Sequence, residues 1–137
     1  MTLIVCVDDK LGMAFGGRRQ SRDRALCEDM VALAAGRILW MDPRSAQLFE
    51  GLGGEIAASE GFARSAGAGE CCFVEFEPVR ELAERADTII LYRWNRHYPS
   101  DLKFDVPLEN RKLREVSEFA GMSHEKITRE VYVHEDK

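Results

Sequence analysis

Residues 70–94, ECCFVEFEPVRELAERADTIILYRW, decide how this chain folds. Cys71, Cys72, Phe73 and Val74 make a short unbroken apolar run, the pattern of a strand covered on both faces. Pro78 then opens a helix, at the position where a missing backbone N–H costs nothing. Val79, Leu82, Ala83 and Ala86 recur at helical spacing and define its inward face. Residues 88–94 (TIILYRW) return to strand. Strand, helix, strand in so short a span is a parallel crossover unit, and such crossovers are right-handed in nearly all sheets.

The same grammar extends toward the N-terminus. Residues 3–7 (LIVCV) are a buried strand rich in β-branched residues, followed by a loop over 8–20 with Gly12, Gly16 and Gly17. Ser21 suits the N-cap of a helix whose Leu26, Met30, Leu33 and Ala34 share one face, with Gly36 as its stop. Residues 38–41 (ILWM) are a second buried strand, and Asp42-Pro43 caps and opens a short helix running to about Leu52. A short strand lies near Ile56, and Ser59 caps another short helix to about Ala66. Beyond residue 94 the chain is β-rich, with pieces at 103–108, 112–117 and 127–133, the last two forming an antiparallel hairpin around Gly121. The expectation is one α/β domain over 1–137: a mixed, mainly parallel sheet flanked by helices, with a C-terminal antiparallel hairpin.

Composition narrows the function classes. A hydrophobic fraction of 45% with 31% charged residues is ordinary for a globular protein and argues against disorder. The net charge of −5 argues against a general binder of nucleic acid or membrane surfaces, although a local basic patch survives inside an acidic total. The opening residues read as a strand rather than a leader, so a cytoplasmic location is expected, with no membrane partner. Cys6, Cys27, Cys71 and Cys72 are then expected as reduced, buried thiols, and no Cys-x-x-Cys pair is present for a zinc ribbon.

The order of these pieces resembles dihydrofolate reductase. LIVCVDDKLGMAFGG is similar to that family's first strand and following loop, and RALCEDMVALAAGRILWM to its first helix and second strand. The decisive block, continued through RWNRHYPSDLKF, resembles its strand–helix–strand and the turn after it. KLREVSEF with ITREVYV resembles its terminal hairpin, and only the middle, about 43–70, is shortened. What the resemblance implies chemically meets changed residues. The family's first-helix carboxylate falls on Leu26, an apolar stripe position; of the nearby acids only Asp23 shares its side, which makes it a candidate acid. The Gly-Gly pair that lets backbone approach the dinucleotide falls on Val74-Glu75, where a β-carbon and a carboxylate oppose a pyrophosphate. The phosphate clamp after the second strand reads Asp42-Pro43-Arg44-Ser45. The fold is therefore expected without the NADPH site, and no cofactor is expected. The chain is also similar to short bacterial sequences carrying RRQSRD…LWM…YRWNRHYP…SHEKIT, often labelled ribonuclease Z. That label implies a His-x-His-x-Asp-His zinc site, for which His97, His124 and His134 are too scattered.

Three constellations remain. In open α/β sheets ligands sit beyond the carboxyl ends of the parallel strands, which brings Asp8 or Asp9, Asp42 and Glu75 toward one cleft. Three carboxylates there suit Mg²⁺, and with it a phosphoester hydrolase or nuclease; the plainer reading is helix caps and turn formers. Arg18, Arg19, Arg22 and Arg24 crowd one loop and helix start, where cations oppose the helix dipole and a bound anion relieves them. Tyr92-Arg93-Trp94-Asn95-Arg96-His97-Tyr98 mixes aromatics with cations, as a heteroaromatic or nucleotide-like ligand would require. The plainer reading packs Tyr92 and Trp94 inward. His97 is a candidate acid or base. Ser123-His124-Glu125-Lys126 reads as a turn, because catalytic triads are assembled by fold geometry and not by adjacency. The preferred function is binding of a small anionic or heteroaromatic ligand through Arg18, Arg19, Arg44, Tyr92 and Arg93. The alternatives are the metal-dependent hydrolase and a non-catalytic module whose basic loop docks a protein partner; a homodimer is compatible with each.

Overall fold

The computed structural model describes residues 1–134. Strand β1 (Thr2–Val7) lies at the centre of a seven-stranded sheet, between β6 (Cys71–Phe73) and β7 (Thr88–Arg93), parallel to both. Leu3 stands opposite Cys72 on one side and Ile89 on the other. Beyond β6 lie β4 (Ile38–Met41) and the edge strand β5 (Glu55–Ala58), both parallel; beyond β7 lies β10 (Ile127–His134), antiparallel to it, and then the edge strand β9 (Arg111–Phe119), antiparallel to β10 and so aligned with the other strands. The sheet is mixed and mainly parallel, with the terminal hairpin added at one side.

Alternation along β1 explains its apolar run. Leu3, Val5 and Val7 pack on one face with Val79, Ala83 and Ala86 around helix α4 (Arg80–Glu84), and with Phe62 of α3 (Phe62–Ser65). Ile4 packs on the other face with Leu26, Cys27 and Met30 of α1 (Arg24–Leu33). Every residue of this strand but half-buried Cys6 is covered, so periodicity of two is hidden in the sequence. Burial pushes the Cys27 and Cys72 thiols up to about 12, as inert core thiols require.

Several boundaries differ from the sequence expectation, each for a local reason. Asp23, not Ser21, caps α1, its carboxylate accepting from the Ala25 amide. The helix after Asp42 is one turn, α2 (Pro43–Ala46), relaxing into a 3-10 turn at Gln47–Phe49. The loop over 8–20 contains β2 (Gly12–Phe15) and β3 (Arg18–Arg19), a small hairpin joined by Gly16 and Gly17, whose positive φ values suit the tight reversal. The piece expected at 103–108 is only β8 (Leu102–Lys103), and it pairs with β2 in a separate three-stranded sheet. Among the described residues, no helix is long and apolar enough to cross a membrane.

Candidate functional site

The parallel strands β1, β4 and β6 end on one edge of the sheet, and the β2–β3 hairpin folds over that edge. Between them lies a cleft of about 900 Å³. Gly16, Gly17, Arg18 and Arg19 form one wall, with Ser21 and Arg22 ahead of α1. Arg44 and Gln47 of the α2 region, Phe76 after β6, and Ser123 of the β9–β10 turn complete it. Four arginines line this cleft and, among the described residues, no carboxylate does.

Behind the arginines, at the exit of β6, the carboxylate of buried Glu75 takes two hydrogen bonds from Arg19 (Nε to Oε2 and Nη2 to Oε1, both 3.0 Å). The buried Ser45 hydroxyl donates a third to Oε1 at 2.7 Å. Val74 beside it is fully buried. The Phe76 ring lies near two guanidinium groups, its centroid 4.0 Å from Cζ of Arg44 and 5.4 Å from Cζ of Arg19. Arg44 also pairs with Asp42 at 3.2 Å. Arg18 and Arg22 form no ion pair among the described residues.

A second polar cluster borders the cleft at Ser21 and Ser123. Asp23 accepts from the Met122 and Ser123 amides, the Ser123 hydroxyl and His124 Nδ1 at 2.8 to 3.1 Å. Burial works to raise this carboxyl, but these donors outweigh it and hold Asp23 well below the usual carboxylate range. His124 is buried, stacked on Trp94 with ring centroids 4.6 Å apart, and its Nε2 faces the hydroxyls of Tyr98 at 2.9 Å and Ser21 at 3.2 Å. Gly121 admits the turn: a β-carbon there would stand 2.5 Å from Asp23 Oδ2 and 2.9 Å from the His124 carbonyl.

The three carboxylates expected to converge are instead engaged separately. Asp8 accepts from the amides of Lys10, Gly12 and Tyr98 and from the Gln20 side chain. Burial would raise its carboxyl, yet these amides lower it. Asp42 caps α2 through the Arg44 amide, and Glu75 is held by Arg19 and Ser45. No group of three or more His, Cys, Asp or Glu side chains is arranged for a metal ion among the described residues. The plainer reading, caps and turn formers, describes Asp8 and Asp42.

The Tyr92–Tyr98 segment divides likewise. Tyr92 is fully buried and donates to Asp29 at 2.6 Å, while Arg129 pairs with the same carboxylate at 2.7 Å, tying α1 to the sheet. Tyr92 is therefore a core residue and not a cleft residue. Arg93 pairs with Glu130 at 2.8 Å, on β10 and outside the cleft lining. His97 is exposed, with Nδ1 3.7 Å from Asp8 Oδ2, too long for a hydrogen bond. Leu26 sits in the core below α1, as its place on the apolar stripe requires. Sequence reasoning missed Ser21, Phe76, Gln47 and the burial of His124. The one available signal was Gly121 ahead of Ser123-His124, a turn tight enough to fold onto another element.

With this geometry in place, a search of solved structures finds dihydrofolate reductase from Enterococcus faecalis, solved in complex with NADP(H) and RAB-propyl. It superposes with a TM-score of 0.67 over 98% of this chain and 96% of that one, at 11% identity. The chain thus has a dihydrofolate-reductase-like fold. No protein-family model matches the sequence, and no curated protein does. Nothing in these comparisons supports the ribonuclease Z resemblance.

Proposed function

We propose that this chain uses a dihydrofolate-reductase-like scaffold to bind a small anionic ligand, without a nicotinamide dinucleotide. The observation that carries the reading is the cleft lined, among the described residues, by four arginines and no carboxylate, in a chain of net charge −5. Cations concentrated against an acidic total have a use when they meet an anion, and arginine forks match phosphate and carboxylate oxygens. Arg18 and Arg22 are the ligand-facing pair, Arg44 the second side, and Phe76 an apolar platform for a flat ligand body. Arg19 supports from behind, since Glu75 already occupies its fork.

The residues at the exit of β6 do not suit a dinucleotide. Close approach of a pyrophosphate needs bare backbone, and here Val74 and Glu75 carry β-carbons, while Glu75 takes up the Arg19 fork that would otherwise meet a phosphate. The reading requires no metal either, because the carboxylates each have other partners.

Thermal shift tests the reading. A ligand at 100 times its dissociation constant adds about 2.7 kcal/mol to unfolding. Inorganic pyrophosphate is expected to raise Tm, and NADPH is expected to leave it unchanged. A clear NADPH shift with none from pyrophosphate would overturn the proposal.

A further inference from the structure

We propose that Ser21, His124 and Asp23 form a hydrolytic triad opening into the arginine-lined cleft, acting on esters that carry a free carboxylate or phosphate. The substrate class rests on the anion-binding reading above; the nucleophile does not. Ser21 Oγ is 3.2 Å from His124 Nε2, and His124 Nδ1 is 3.0 Å from Asp23 Oδ2. Hydroxyl on one ring nitrogen and carboxylate on the other is the contact order that activates a serine.

Each member is held for that task. Ionised Asp23 only accepts hydrogen bonds, so it places the ring proton on Nδ1 and leaves the Nε2 lone pair toward the hydroxyls. Its own orientation is set by the Met122 and Ser123 amides. The imidazole is 1% exposed and stacked on Trp94, so it keeps its plane. Two hydroxyls share Nε2, but only Ser21 borders the cleft; Tyr98 does not. Ser21 is therefore the hydroxyl a substrate meets. Arg18 and Arg22 on the same wall supply positive charge for an oxyanion.

The chemistry balances without an outside oxidant or reductant. Ser21 Oγ attacks the ester carbonyl carbon as its proton passes to His124 Nε2. The carbon–oxygen ester bond breaks, and that proton goes to the leaving alkoxide, giving an alcohol and an acyl-serine. Water then gives a proton to Nε2 while its oxygen attacks the acyl carbon. The acyl–serine bond breaks, and the proton returns to Ser21 Oγ as the carboxylic acid leaves.

The test combines covalent labelling with turnover. A fluorophosphonate probe is expected to modify Ser21, located by peptide mass mapping, and 4-nitrophenyl hemisuccinate is expected to be hydrolysed. Ser21→Ala should abolish the label and lower turnover by about 10³ or more, as loss of a triad nucleophile does. His124→Gln should do the same where it folds; Ser21→Ala, a small change at a half-buried position, keeps the test decisive if it does not. Absence of label on Ser21, or unchanged turnover in Ser21→Ala, would overturn the triad. Pyrophosphate binding measured on the same samples separates the two readings. Binding without labelling removes the triad and leaves the anion cleft. Labelling of Ser21 without pyrophosphate binding, and with equal turnover of neutral 4-nitrophenyl acetate, overturns the anionic substrate class and with it the cleft reading.

Discussion

At the exit of β6 one carboxylate takes two hydrogen bonds from Arg19 and one from Ser45. Removing it strands a guanidinium and a buried hydroxyl together. Glu75→Ala is therefore expected to cost about 2–4 kcal/mol in chemical denaturation; an unchanged midpoint would mean that the cluster is not holding the edge together. Asp23 gives a prediction in pH. Its folded carboxyl is depressed, so its contribution is complete above the unfolded value of about 4 and is lost as pH falls below that. The stability gap between wild type and Asp23→Asn should be full at pH 6 and shrink toward pH 2.5; a gap constant over that range would contradict the assignment. Glu75 was legible in the sequence as an acid at a strand exit, but its partners Arg19 and Ser45 were not, because they lie on other elements. Asp23 was legible as inward-facing, but its partner His124 was not. Sequence separation hides such a meeting, and an isolated histidine in a polar turn usually stays in water.

At the scale of elements, the β9–β10 turn docks onto the start of α1. Gly121 is the close contact that permits it. Gly121→Ala would drive a methyl into Asp23 and the His124 carbonyl, and the turn must lift. A loss of about 1–3 kcal/mol is expected, measured by thermal or denaturant unfolding; wild-type stability would show that the turn is not packed as described. The core elements were legible from apolar runs and helical spacing: β1, β4, β6, β7 and α1 stand where the pattern placed them. The β2–β3 hairpin was not. Its strands, four and two residues long, are too short to carry an alternation signal, and its pairing depends on β8, far away in sequence. Tyr92 illustrates the converse error. An aromatic in a cationic stretch suggested a ligand contact, yet its hydroxyl is satisfied by Asp29 inside the fold.

Across the whole molecule, the net charge is −5 while the cleft at the sheet edge is lined by four arginines. The scaffold was legible as a mixed, mainly parallel sheet with a terminal hairpin, and the fold likeness to dihydrofolate reductase agrees over nearly the full length of both chains. The location of the cleft followed from the carboxyl ends of the parallel strands; its lining depended on a hairpin that the sequence did not announce. The most direct measurement is calorimetric titration of inorganic pyrophosphate into wild type and into the Arg18→Ala/Arg22→Ala variant. Wild type is predicted to bind one equivalent with an affinity that weakens as salt rises, and the double variant to bind at least tenfold more weakly. Equal affinity in the two proteins, or no binding by wild type at low salt, would contradict the assignment of this cleft to an anion.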